Sequence, residues 1–204
     1  MTHNIGWPLI TTRQRSANQL RIGVFAASAL LLASMFVLLS PQKSLAQELA
    51  RDSASVIMYH RFGEDRYPST NIRIPQFEEH LALLTNGNYT VLPLPEIIKT
   101  LQAGGTLPDR TVAITIDDAY LSVYEQAWPR LKELGLPFTI FVATNPVEKN
   151  RRGYMSWDML RELQSQGVTI GSQTHTHPHL HRKSAEQVRQ EITTSNQLFL
   201  DELG

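Results

Sequence analysis

Two short strings in the sequence carry most of its chemical potential. The first is Asp117-Asp118, directly after the apolar run Thr111 to Ile116. The second is residues 171 to 181, Gly-Ser-Gln-Thr-His-Thr-His-Pro-His-Leu-His, which hold four of the chain's seven histidines. Adjacent carboxylates at a strand end point in different directions. One can face a divalent cation while the other takes a proton from a water molecule. Imidazole is the commonest side-chain nitrogen ligand for zinc-like metals. Each string also has a plainer reading. Asp is favoured at helix N-caps, so the pair could simply open the next helix. A histidine-rich loop could be a solvated surface. The case for chemistry rests on the two strings together, both placed after buried strands.

The elements that must position them alternate in type. Ser55 to Tyr59 reads as a strand ending at His60, and the polar stretch around Pro68 and Asn71 as a loop. Pro75 and Pro95 can each start a helix, because a missing N–H costs nothing in the first turn. Gly87 and Gly104-Gly105 end those helices. Thr111 to Ile116 is a near-continuous apolar strand of the kind covered on both faces. A helix over 122–134 with a kink at Pro129 follows, then a strand over 138–143. Ser156 can N-cap a helix reaching about Gln166, and Val168 to Gly171 is a further strand. Ser184 and Gln187 have capping-box spacing and open a last helix. Strand–helix alternation predicts a parallel sheet with helical crossovers. In such sheets, chemistry gathers beyond the carboxyl ends of the strands. His60, Asp117-Asp118 and the stretch from Gln173 to His181 all fall there.

Bulk properties exclude several classes. Lys+Arg and Asp+Glu balance at 19 each, so there is no electrostatic case for nucleic acid. There is no cysteine, which removes disulfide frameworks, thiolate metal sites and Cys nucleophiles. Any metal must be held by His, Asp, Glu or neutral oxygen donors. Residues 1–46 read as targeting. Arg13, Arg15 and Arg21 precede the uncharged apolar run from Ile22 to Leu39, Pro41 breaks it, and Ser44-Leu45-Ala46 has the small-x-small pattern of a cleavage site. The alternative is an uncleaved membrane anchor over 22–39, near the minimum spanning length. Either reading exports the rest of the chain, to the periplasm or the cell exterior.

Together the strings resemble the polysaccharide deacetylases, the NodB-homology or carbohydrate esterase family 4 group. Thr115-Ile116-Asp117-Asp118-Ala119-Tyr120 looks like the family's Thr-Phe-Asp-Asp-Gly-Tyr motif. Thr174-His175-Thr176-His177-Pro178 looks like its His-Ser/Thr-x-x-His motif followed by Pro. The intervening Leu136 to Val142 and Ser156-Trp157-Asp158 are similar too, as is the early Val56-Ile57-Met58-Tyr59-His60. The resemblance runs over about residues 54 to 204. It implies an α/β fold, a deformed (β/α) barrel with seven repeats. It also implies hydrolysis of the acetamide of an N-acetylglucosamine-type polysaccharide or oligosaccharide with a divalent metal, zinc or else cobalt, nickel or manganese. In that pattern Asp117 is the general base and Asp118 and His177 are metal ligands; His60, at a strand end near both strings, is separately a candidate to line the cleft, against a capping or core role.

Three departures from the pattern matter. With Gly171 and Pro178 setting the register, the motif's leading His falls on Gln173, whose amide oxygen is a poorer zinc donor than imidazole. His175 or His179 is then a candidate for the missing ligand; a shifted register pairs these two instead. The motif's Gly is Ala119, a small and tolerable change. The family's later motifs come after Gly204. Removing 46 residues leaves 158 of 204, short of the roughly 200 of a complete barrel. The expectation is therefore a domain over 47–204 whose C-terminal part is missing. A non-catalytic carbohydrate-binding relative, or an inactive fragment associated with a cell-envelope export system, is the competing reading. Gln173 favours it; the retained Asp117, Asp118 and His177 oppose it.

Overall fold

The computed structural model describes residues 52–204; the targeting segment expected over 1–46 lies outside the described residues. Among the described residues no helix is long and apolar enough to cross a membrane.

The centre of the fold is a parallel sheet. Strand β1 (Ser55–Tyr59) pairs with β5 (Thr111–Asp117), β5 with β6 (Thr139–Val142), and β6 with β7 (Thr169–Ser172). The short β4 (Thr90–Val91) pairs with the start of β5. β5 occupies the middle because it is apolar on both faces: Val112 to Ile116 are all nearly inaccessible. All these pairings are parallel, so the carboxyl ends of β1, β5, β6 and β7 lie at one end of the sheet.

Helices pack against the sheet. Helix α1 (Ile74–Asn86) has Pro in its first turn and buries Phe77, Leu81 and Leu84, spaced to share one stripe. Its phenylalanine packs edge-on against Tyr59 and Phe62, at 5.4 and 4.7 Å between centroids. Each such buried side chain contributes on the order of 1.5–3 kcal/mol. Helix α2 (Leu94–Gln102) buries Ile97 in a smaller cluster with Leu107 and Ala113. Helix α3 (Trp128–Glu133), α4 (Thr144–Glu148), α5 (Trp157–Ser165) and α6 (Ala185–Leu203) complete the set. Ser156 caps α5 through Met159 N, and Ser184 with Gln187 forms the reciprocal capping box of α6.

The structure departs from the sequence expectations in three places. The helix expected over 122–134 is a wide π turn (Val123–Ala127) running into α3. Pro129 has no N–H to donate back into the preceding turn, which favours this local rewinding. The expected polar loop after His60 contains a small parallel pairing, β2 (Arg61–Phe62) with β3 (Asn71–Ile72). Helix α4 was not legible, because five residues are too few for a periodic signal.

Gly171 has a steric reason. A Cβ there would lie 2.7 Å from the Phe141 ring, its neighbour across β6 and β7.

Candidate active site

The site is built from three strand ends. β1 delivers His60, β5 delivers Asp117 and Asp118, and the loop after β7 delivers Gln173 and His177. His60 Nε2 lies 3.9 Å from Asp117 Oδ2, too far for a hydrogen bond. Asp118 Oδ1 lies 3.6 Å from His177 Nδ1. The two aspartates diverge as the strand-end geometry requires: Asp117 continues β5, and Asp118 turns into left-handed backbone with φ 73°.

Ala119 follows with φ 53°. Two successive non-glycine residues in this region are costly, and the chain holds them through backbone bonds on every side. Asp118 N donates to Phe141 O at 2.9 Å. Met155 N donates to Ala119 O at 2.9 Å, and Leu121 N to Gly153 O at 2.9 Å. Tyr120 bridges to Tyr154, with ring centroids 4.9 Å apart. The Arg61 guanidinium stacks on the other face of this pair, 3.3 Å from the Tyr120 centroid. The Tyr120 hydroxyl is pushed far up by burial, then by the Asp118 charge and by hydrogen bonds to Tyr154 and Asp118.

Burial is also the largest influence on Asp117 and raises its carboxyl above the ordinary range. His60 opposes the rise, Asp118 adds to it, and His177 opposes it. A carboxyl held upward in this way is suited to proton transfer nearer neutral pH.

Gln173 sits between the loops. Its own N–H donates to Val142 O at 2.9 Å, extending the β6–β7 ladder. Its side-chain Oε1 accepts from Asp118 N at 3.2 Å, sharing that N–H with Phe141 O. Gln173 thus reaches the Asp118 side of the site and engages its amide oxygen with the Asp118 backbone. His175 and His179 are placed elsewhere. The His175 ring turns toward α4, with Nδ1 3.0 Å from Thr144 Oγ1 and Nε2 3.2 Å from Asn145 Nδ2, so both ring nitrogens are engaged. His179 lies exposed beside His181, with ring centroids 5.8 Å apart. Contacts that sequence reasoning missed are those of Thr144 and Asn145 with His175, and those of Glu191 with Thr176. The sequence carries no local signal for them, because α4 (Thr-Asn-Pro-Val-Glu) is short and α6 is polar along most of its length.

Two donors 3.6 Å apart are compatible with a common cation at the roughly 2.0–2.2 Å bond lengths usual for carboxylate and imidazole. Among the described residues no three His, Asp or Glu are grouped so that all could hold one metal ion. Asp118 and His177 are the two strong donors that a divalent cation would share here, with Gln173 as a weak neighbour.

A parallel α/β sheet with these residues at its carboxyl end is similar to the NodB-like fold. The comparisons agree. Residues 104–204 match the polysaccharide deacetylase family model. YxkH of Bacillus subtilis (strain 168), named for the same family, is 27% identical over 146 residues, 71% of this chain and 50% of that protein. A poly-beta-1,6-N-acetyl-D-glucosamine N-deacetylase of Staphylococcus aureus (strain MSSA476) is 26% identical over 184 residues, covering 81% of this chain and 61% of the relative. The solved Streptococcus pyogenes deacetylase PplD, in complex with acetate, superposes with a TM-score of 0.67 at 21% identity, over 74% of this chain and 69% of that one; at that identity the likeness speaks to fold. The family match covers residues 104–204, just under half of the chain, and the fold of the described residues is that of the NodB-like deacetylases. It spans 50% and 61% of the two curated relatives.

Proposed function

We propose that the protein is an exported, metal-dependent hydrolase that removes acetyl groups from N-acetylglucosamine-type glycans. The observation that carries the reading is the convergence of Asp117, Asp118 and His177 on one end of the sheet, with Asp118 and His177 3.6 Å apart and Asp117 raised by burial. The poly-beta-1,6-N-acetyl-D-glucosamine deacetylase among the relatives supports the substrate class. The targeting pattern of residues 1–46 supports export, with membrane attachment through 22–39 if that segment stays uncleaved.

Asp118 and His177 would hold the cation. When bound, it polarises the acetamide carbonyl and makes a neighbouring water more acidic. Asp117 takes a proton from the attacking water as its oxygen adds to the acetyl carbon. The carbon–nitrogen bond then breaks, Asp117 returns the proton toward the departing nitrogen, and acetate and the free amine leave. His60, at 3.9 Å, bears on the charge of Asp117 throughout. Zinc suits the carboxylate–imidazole donors, as do cobalt, nickel and manganese.

The test is acetate release by the full chain from a soluble β-1,6-linked N-acetylglucosamine oligomer, before and after chelation and after cobalt or zinc is restored. Release that stops on chelation and returns with metal is expected. Release indifferent to chelation overturns the metal dependence. Oligomer binding with no release under any metal favours a non-catalytic carbohydrate-binding relative, the reading to which Gln173 lends weight.

A further inference from the structure

The imidazole of His177 has little of its own to hold it. Its side chain is 54% exposed, and its polar contact is Asp118 Oδ1 at 3.6 Å. Its place is set by the loop beneath it. That loop is strained: Thr174 and His177 are non-glycine residues at φ 67° and 54°, and Thr174 Oγ1 is buried without a hydrogen-bond partner among the described residues. Something must hold such backbone in place.

Two main-chain bonds from α4 hold the start of the loop, Thr144 N to Thr174 O at 3.2 Å and Asn145 N to His175 O at 2.9 Å; beyond His175 the restraint comes from one face of α6. Glu191 receives both donors of Thr176, the residue before His177: the backbone N–H at 2.7 Å and the hydroxyl at 2.6 Å, one on each carboxylate oxygen. One turn further on, Ser195 is fully buried, with its hydroxyl 2.8 Å from Ser172 Oγ. Ser172 Oγ in turn accepts from Thr174 N at 3.2 Å. Residues four apart share a helix face, so a single face of α6 grips the loop at both ends. The other half of α6 is fixed to α5, by Phe199 edge-on to Trp157 and Arg161 to Glu202 at 2.7 Å. The helix is thus anchored to α5 as well as to the loop.

We propose that Glu191 is a positioning residue that sets the His177 imidazole against Asp118 through its two-point hold on Thr176. The proposal rests on the reading of Asp118 and His177 as the cation site. A carboxylate is suited to this task because it is acceptor-only, with one oxygen for each donor; an amide offers one good acceptor, and alanine none.

The test compares wild type with Glu191→Ala and Glu191→Gln in the full chain by two readouts. The first is hydrogen–deuterium exchange across the loop at 173–178 with no metal present. The second is affinity for cobalt(II) alone, followed by its absorption spectrum. The expected result is faster exchange at Thr176 and neighbouring amides in Glu191→Ala, an intermediate rate in Glu191→Gln, and cobalt affinity weakened by about 10–100-fold, as is usual when an outer partner of a ligand is removed. Unchanged exchange overturns the proposal, as does faster exchange with unchanged cobalt affinity. If wild type binds no cobalt, the cation reading fails instead, and the exchange data alone decide whether Glu191 holds the loop. Should Glu191→Ala unfold, Glu191→Gln carries the comparison.

Discussion

The two loops that make the site are held in different ways. The loop after β5 is fixed by backbone. Asp118, Ala119 and Leu121 are tied to Phe141, Met155 and Gly153 through main-chain bonds, and Ala119 and Tyr120 are buried. The loop after β7 begins with backbone bonds, from Gln173 N to Val142 O and from Thr144 N to Thr174 O. It reaches His177 through side chains: Glu191 on Thr176, and Thr144 and Asn145 around His175. Both carry left-handed non-glycine residues. The base side is therefore set mainly by main-chain bonds and the imidazole side largely by the neighbouring helices α4 and α6. The first should resist side-chain changes around it, and the second should be adjustable.

The largest expected effect lies on the rigid side. Asp117→Asn removes the proton acceptor and should lower kcat by roughly 10²–10⁴-fold, with the fold intact by circular dichroism. Its melting temperature should be equal or slightly higher, since a buried charge is removed.

The same carboxyl governs the pH profile. A base must be ionised, and burial raises this one. Activity should fall about tenfold per pH unit below its pKa, with the acid limb above the ordinary Asp value of about 3.9. Stability runs oppositely. A raised folded pKa means the folded state binds this proton more tightly. That contribution is present below the unfolded pKa and is lost as pH rises through the folded one. A kcat/KM profile with its acid limb at or below the ordinary value would contradict the assignment of Asp117 as base.

Next is Gly171, which links the two sides. Gly171→Ala would push a methyl into the Phe141 ring, and Phe141 O receives Asp118 N. Overpacking of this kind costs about 1–3 kcal/mol, read as a lower urea midpoint.

On the adjustable side, Thr176→Val keeps the N–H bond to Glu191 and deletes the hydroxyl bond. A loss of no more than about tenfold in cobalt affinity is expected, corresponding to the roughly 0.5–1.5 kcal/mol of one hydrogen bond. A loss as large as that of Glu191→Ala would assign the whole hold to the hydroxyl.

The smallest effect is expected at Ala119. Glycine would relieve left-handed strain of about 1–2 kcal/mol but lose a buried methyl, about 0.8 kcal/mol, and add chain entropy of about 0.5–1 kcal/mol. These nearly cancel, so Ala119→Gly should move stability by less than about 1 kcal/mol in chemical denaturation. This balance explains why alanine is tolerated where the resembling motif has glycine.

The contrast between the loops also accounts for what could be read in advance. β5 and its aspartates were legible because a continuous apolar run and a terminal carboxylate pair are local signals. The helix boundaries at Ser156 and Ser184 were legible through their caps. The fates of Gln173, His175 and His179 were not. Gln173, His175, His177 and His179 alternate, but on an irregular loop a two-residue spacing does not tell which way each side chain faces. Whether an imidazole faces Asp118 or Thr144 is decided by α4 and α6, elements distant in sequence. Five-residue α4 left no pattern, and the Glu191–Thr176 contact joins residues fifteen apart across a turn.

The measurement that bears most directly on the account is metal content and acetate release on the same preparation of the full chain, wild type against Asp118→Ala, with a soluble N-acetylglucosamine oligomer. The account predicts that wild type retains a divalent metal and releases acetate, and that both are lost together in Asp118→Ala. Acetate release that survives the loss of Asp118, or a metal that stays bound without it, would contradict it.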